Sequence, residues 1–292
     1  IANWGSSRNN KISRILMEKT IGIDKQVELP KFAKKTFIRL SKDEKMLPNN
    51  TAPGFGKKVA LFATCYVNYN NTEVGVAAQK VLLNNGIEVK PVYPGCCGMP
   101  FLEQAELDKV KSQSEIVSDE LCKYIDEGYD IVTLTASCGL MLKSEWPLIN
   151  PDNKKVIKLS QHVFDIDQYV VELAKKEGLK EGLNPIDGGI TVHNACHARA
   201  QNMGNKAAEM LKLLPETNVE VVERCAGHGG TFGVMKDTHK VAVKFGKTAA
   251  RQIKNKGQKN IVSDCPLAGK HLGQLINDTN TDGELNINPK HP

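Results

Sequence analysis

A chain of 292 residues, 40% hydrophobic and 25% charged, can bury two cores of ordinary size and needs no disulfide stapling. It lacks both a run of the roughly eighteen apolar residues that would cross a bilayer and a signal-peptide pattern over residues 1–11, so a cytoplasmic protein is expected. The net charge of +6 is concentrated in residues 1–58, which hold 13 Lys or Arg against 5 Asp or Glu; without interleaved aromatics or a reading motif, nucleic acid is not an expected partner.

Residues 1–57 read as a basic, partly helical arm ending in a Pro- and Gly-rich linker over 48–56. Its helical apolar spacing at Ile12, Ile15 and Leu16, together with its charge, leaves two readings. One is a solvated face; the other is docking to an acidic partner or to the anionic inner face of a membrane.

Residues 58–160 form the first unit. A strand over 58–64 ends at Cys65, a helix over 73–83 stops at Asn85-Gly86, and a strand over 87–93 runs into Pro94-Gly95-Cys96-Cys97-Gly98. A helix over 103–124 then leads to a strand over 131–135 and to Cys138. A connecting segment, 161–187, carries helical spacing over 163–174.

The order recurs in residues 188–277. A strand over 190–193 reaches Cys196, a helix spans 206–214, and a strand over 219–222 runs into Cys225-Ala226-Gly227. A helix over 239–254 precedes a strand over 261–263 and Cys265. Cys65 and Cys96 are 31 positions apart and Cys196 and Cys225 are 29; Cys97 and Cys138 are 41 apart and Ala226 and Cys265 are 39. The expected fold is therefore α/β, with two similar β-α-β-α-β units and mostly parallel sheets, the cysteines lying at the carboxyl ends of strands where ligands bind. The tail, 278–292, is expected to be extended or mobile.

Eight cysteines without a secretion signal favour metal or redox chemistry over disulfides. Cys65, Cys96, Cys97 and Cys138 supply the four thiolates that a structural zinc or a cubane (4Fe–4S) cluster needs, and Gly95 and Gly98 permit the turn that lets two adjacent cysteines reach one site. The plain alternative is small buried cysteines. The second unit offers Cys196, Cys225 and Cys265, with Ala226 where the first has Cys97, so a fourth donor is wanted. His228 is the candidate, with His193 and His197 as rivals. Glycines at 227, 229, 230 and 233 miss the G-x-G-x-x-G spacing, because Phe232 stands where the last glycine belongs.

These residues resemble a known family. Cys65, Cys96-Cys97-Gly98 and Cys138 are similar to the first cysteine-rich C-C-G repeat shared by lactate-utilisation iron–sulfur proteins and by the cysteine-rich subunits of heterodisulfide reductase and of anaerobic glycerol-3-phosphate dehydrogenase. His193-Asn-Ala-Cys-His197, Glu223-Arg-Cys-Ala-Gly227 and Asp264-Cys-Pro266 resemble the second repeat, and Thr64-Cys-Tyr-Val-Asn-Tyr-Asn70 is most similar to the glycerol-3-phosphate dehydrogenase type. The resemblance implies an iron–sulfur electron-transfer subunit that relays electrons from a dehydrogenase or ferredoxin-like partner towards a quinone or a thiol–disulfide acceptor. Members of that subunit type usually carry a ferredoxin-like region ahead of the C-C-G repeats; residues 1–57 do not contain it and resemble the connecting arm. Met141 and Ala268 replace the last cysteine of the family's closing C-x-x-C in the two repeats, which argues against a pair of noncubane clusters and against heterodisulfide cleavage. Two rival readings stand beside it: a zinc-stabilised scaffold without redox activity, and a thiol–disulfide reductase.

Overall fold

A computed structural model describes residues 1–43, 46–279 and 287–292. They form two compact units, one of Ala33–Asn184 with His197–Met210, the other of Ile1–Phe32, Pro185–Cys196 and Leu211–Pro292. The architecture is α/β, and every strand pair in both sheets is parallel.

The first sheet contains β1 (Lys58–Phe62), β2 (Glu88–Val92), β3 (Asp130–Thr133) and β4 (Val163–Asp165), in the order β2-β1-β3-β4. Central β1 is apolar on both faces, as a parallel strand covered by helices must be, and Val59 to Phe62 are fully buried. The helix Leu107–Asp126 buries Val110, Ser114, Val117 and Leu121, a stripe at three- and four-residue spacing. The sequence predicts one helix over 103–124, but there are two: Met99–Glu103 ends before Ala105, whose φ is +58°, and the long helix starts at Leu107.

The helical spacing over 163–174 also hides a strand. Residues 163–165 pair with β3, and the helix begins at Ile166 and ends at Lys176. After Cys138 the chain stays helical through a widened π-turn, Met141–Glu145, that seats Trp146 in the core with no exposure. The linker over 49–56 is fastened to the end of the helix Thr72–Asn84: the Leu83 carbonyl accepts from the Asn49 N–H at 2.9 Å and the Asn85 carbonyl from the Gly54 N–H at 3.0 Å.

The second sheet contains β5 (Ile190–His193), β6 (Val219–Val222) and β7 (Asn260–Ser263), in the order β6-β5-β7. Its core joins Val222, Ala226, Ala249, Ile253, Leu272 and Ile276. The helix His239–Lys256 supplies Ala249 and Ile253, and Pro266–Thr279 supplies Leu272 and Ile276. Residues 1–32 belong to this unit: the Arg14 guanidinium is buried and donates to the carbonyls of Ser6, Asp24 and Val27. On the same helix, Lys11–Ile21, Ile12 and Leu16 point outwards, 84% and 61% exposed. Of the tail, residues 280–286 lie outside the described part. Beyond them the chain is extended and held, with the Lys290 N–H donating to Ile261 O and Lys290 O accepting from Ser263 N–H, both at 2.9 Å.

Candidate metal centre

In the first unit Cys65, Cys96, Cys97 and Cys138 each follow a strand end. Cys65 opens a five-residue helix, Cys65–Tyr69, directly after Thr64, a non-glycine residue at φ +53° and ψ 159° whose hydroxyl caps the helix by accepting from the Val67 N–H at 3.2 Å. Such a backbone costs about 1–3 kcal/mol and is kept where the surroundings enforce it. Here Thr64 and Thr135, at the ends of β1 and β3, share a buried hydroxyl contact of 3.2 Å. Cys138 sits in the helix Ala136–Leu140, and Cys96 and Cys97 in the loop after β2.

The four sulfurs come together as two pairs, Cys65 with Cys96 at 4.0 Å and Cys97 with Cys138 at 3.2 Å. Cys97 and Cys138 are buried; Cys65 and Cys96 are half-buried. Among the described residues no three His, Cys, Asp or Glu side chains close around a single ion. Hydrogen bonds shared with Cys65 and Cys97 hold the Cys96 thiol well below the usual range, and the Gly98 N–H donates to its sulfur at 3.4 Å. Cys65 and Cys97 are pushed up, the first mainly by its hydrogen bond with Cys96 and the second by its hydrogen bond with Cys138, with burial adding to both. The Trp146 indole N–H donates to the Cys97 carbonyl at 3.0 Å, fixing the loop from behind.

The second unit repeats one detail closely. Gly227 stands two residues after Cys225 as Gly98 stands after Cys96; its φ is +76° beside +83°, and its N–H donates to the Cys225 sulfur at 3.3 Å. Ala226, the counterpart of Cys97, is buried in the apolar core. Cys196 and Cys225 are exposed, and burial pushes the Cys265 thiol up to about 12, with Cys196 near enough to add to the effect. Met141 and Ala268, the other departures from the family pattern, are core residues too.

The three candidate histidines separate. His193 has both ring nitrogens engaged, Nε2 with the Arg224 carbonyl at 2.9 Å and Nδ1 with the Ser263 hydroxyl at 3.0 Å. It ties the ends of β5, β6 and β7 together. The carbonyl fixes the hydrogen on Nε2, so Nδ1 accepts from Ser263. Burial lowers the His197 pKa, opposed by Glu145. His228 lies 6.1 Å, ring to ring, from His271, and the Nε2 atoms of both are buried without a hydrogen-bond partner among the described residues. Nothing in the run Lys270-His-Leu-Gly273 marks His271 as a candidate in the sequence. Of the thiols, Cys122 stands apart, in the first unit's core with its sulfur 3.4 Å from the Lys155 carbonyl.

Burial brings the pKa of both His228 and His271 down to about 4. The unfolded chain, with ordinary imidazoles, then takes up protons first as pH falls. Stability is full above about pH 6.5 and drains away as pH drops towards 4, by about 2–3 kcal/mol for each ring. Urea unfolding of the metal-free chain at pH 7 and pH 4.5 should show this loss, and His271→Gln should reduce it; an unchanged difference in the variant would refute the assignment.

Taken together, these features define an α/β protein that brings four cysteine sulfurs into two close pairs near the carboxyl ends of parallel strands and repeats one cysteine–glycine turn. The chain belongs to the cysteine-rich (CCG) domain family, whose pattern it matches twice, over residues 59–143 and 190–272. It is 27% identical over 263 residues to a subunit of the anaerobic glycerol-3-phosphate dehydrogenase of Escherichia coli K12, covering 86% of this chain and 63% of that protein. It is 28% identical over 223 residues to a subunit of the fumarate reductase (CoM/CoB) of Methanothermobacter marburgensis, covering 74% of this chain and 42% of that one. An iron–sulfur protein of Methanocaldococcus jannaschii is 29% identical over 218 residues, covering 74% of this chain and 41% of its own length. The chain therefore spans less than two thirds of each of these relatives.

Proposed function

We propose that this chain is an iron–sulfur electron-transfer component of a larger redox enzyme. Cys65, Cys96, Cys97 and Cys138 would hold one cluster; Cys196, Cys225 and Cys265, with His228 as fourth donor, would hold a more labile second. The observation that carries this reading is the paired set of four thiols at 4.0 and 3.2 Å, with a backbone N–H aimed at the Cys96 sulfur. Thiolates are the usual ligands of such clusters, and hydrogen bonds to sulfur are among the features that set their potential. When bound, the cluster supplies a one-electron couple. The chain's own contributions are the two glycine N–H donors, the Trp146 brace on the Cys97 loop, and the apolar core in which Cys97 and Cys138 are buried.

The names of the relatives, subunits of a dehydrogenase and of a reductase, support a dehydrogenase or reductase partner. A quinone or a thiol–disulfide as the far acceptor, and the cytoplasm or inner membrane face as the place of work, belong to the proposal. Among the described residues no helix is long and apolar enough to cross a membrane. The outward Ile12 and Leu16, on a helix that also carries Lys11 and Lys19, suit peripheral contact there. Protein prepared anaerobically should be brown and contain iron and acid-labile sulfide in comparable amounts. Zinc without sulfide would replace this reading with the structural-scaffold one.

A further inference from the structure

The helix that begins at Cys65 ends four residues later at Tyr69, a residue 42% exposed. Four residues of helical rise place Tyr69 about 6 Å along the axis from the first cysteine. Its ring meets Tyr93 edge to face, with centroids 5.6 Å apart and planes at 87°. Tyr93 lies just before Pro94-Gly95-Cys96 and packs against both cores of the first unit. Its phenol is pushed up first by burial and then by Cys65 and Cys96, as expected of a ring beside the sulfurs. A pair of aromatic rings thus leads from the thiol set to solvent.

The segment packed on this helix is basic. Residues 33–43 lie on this helix, with Ala33 N–H donating to the Tyr69 carbonyl at 2.8 Å and Ile38 N–H to Asn68 Oδ1 at 3.1 Å. They carry Lys34, Lys35, Arg39 and Lys42, all exposed, against one acid, Asp43, which Lys35 engages at 2.9 Å. Residues 65–71 hold no charge, and Glu73 is the next acid along the chain.

We propose that Tyr69 and its rim of cations form the docking surface for an acidic one-electron carrier protein, and that the Tyr69–Tyr93 pair bridges that surface to the first cysteine set. The proposal rests on the iron–sulfur reading. An exposed aromatic ring within a positive field suits the small, transient interface of a redox encounter, where complementary charge sets the association rate more than the lifetime. One electron would pass between the carrier and the group that Cys65, Cys96, Cys97 and Cys138 would hold; no covalent bond would form or break and no proton would be required.

The test uses the full chain and an acidic plant-type ferredoxin as probe. Binding is measured by titration calorimetry over a range of salt, independently of cluster content. Iron-loaded protein is then oxidised in a stopped-flow instrument by ferricyanide and by hexaammineruthenium(III). Lys34→Glu/Arg39→Glu is compared with Lys111→Glu/Lys154→Glu, which changes the net charge equally elsewhere on the unit. The expected result is ferredoxin binding that weakens with salt and falls at least about tenfold in the first double variant, with little change in the second. That first variant should also slow ferricyanide and speed the ruthenium complex, and Tyr69→Ser should weaken ferredoxin binding. No binding at low salt, equal losses in the two double variants, or anionic phosphatidylglycerol vesicles that capture the chain in place of ferredoxin through Lys34 and Arg39 would overturn the proposal. A chain that binds ferredoxin but retains no iron would instead overturn the iron–sulfur reading.

Discussion

Replacing Cys97 by alanine is expected to turn the first cysteine set into a copy of the second. Three thiols would remain, and the buried methyl would occupy the place that Ala226 takes in the other repeat. The backbone carbonyl that accepts from Trp146 is kept, so the loop should hold its course. A thiolate neutralises more of a cluster's charge than water or imidazole does, and losing one should speed iron loss in air by on the order of tenfold or more. Cys225→Ala should cost little of the iron held by the first half. Iron content and electron paramagnetic resonance, followed in wild type and both variants during exposure to air, give the comparison. If Cys225→Ala removes most of the iron while Cys97→Ala retains it, the principal site lies around His228 instead.

The two turn glycines should respond very differently to alanine. Both have positive φ, which costs an L side chain about 1–2 kcal/mol. A methyl on Gly98 would find its nearest neighbour, Val110 Cα, at 3.7 Å, an ordinary contact. A methyl on Gly227 would lie 2.2 Å from the Ala242 carbonyl oxygen and 2.8 Å from the Gly246 nitrogen, both backbone atoms of the helix His239–Lys256. Neither atom can move aside without the helix. Gly98→Ala should therefore destabilise by about 1–2 kcal/mol, and Gly227→Ala by more than about 4, as expected for strain added to a close-packed contact. Urea titrations of the two variants measure this directly; equal losses would mean that the helix yields at little cost.

The sequence made the strand-end cysteines legible because each sits where an apolar run gives way to glycine or to a helix start, and because the spacing repeats. It did not show β4, whose three residues are too short to break the helical period that follows from Ile166. Nor could it place Trp146 on the Cys97 carbonyl, a contact made across 49 positions. The histidines were legible as residues but not as roles. His193 looks like a ligand beside Cys196, yet its two nitrogens go to a carbonyl and a hydroxyl supplied by neighbouring strands. His271 is silent in sequence because its burial comes from packing on both sides of the helix Pro266–Thr279.

The matching strand orders, β2-β1-β3 and β6-β5-β7, have a consequence for how the chain folds. Two parallel sheets of the same plan give each central strand two sets of flanking strands to choose from, and parallel pairing forms slowly across long sequence separations. The buried ring of His193 helps decide. Phe62 holds the equivalent register, paired with Val92 and Thr133 as His193 is paired with Val222 and Ser263. Were β1 to enter the second sheet, a phenyl would replace the imidazole and remove its hydrogen bonds with the Ser263 hydroxyl and the Arg224 carbonyl, at about 0.5–1.5 kcal/mol each. His193 would therefore weigh against the wrong central strand during folding, by the two bonds that a phenylalanine there forfeits.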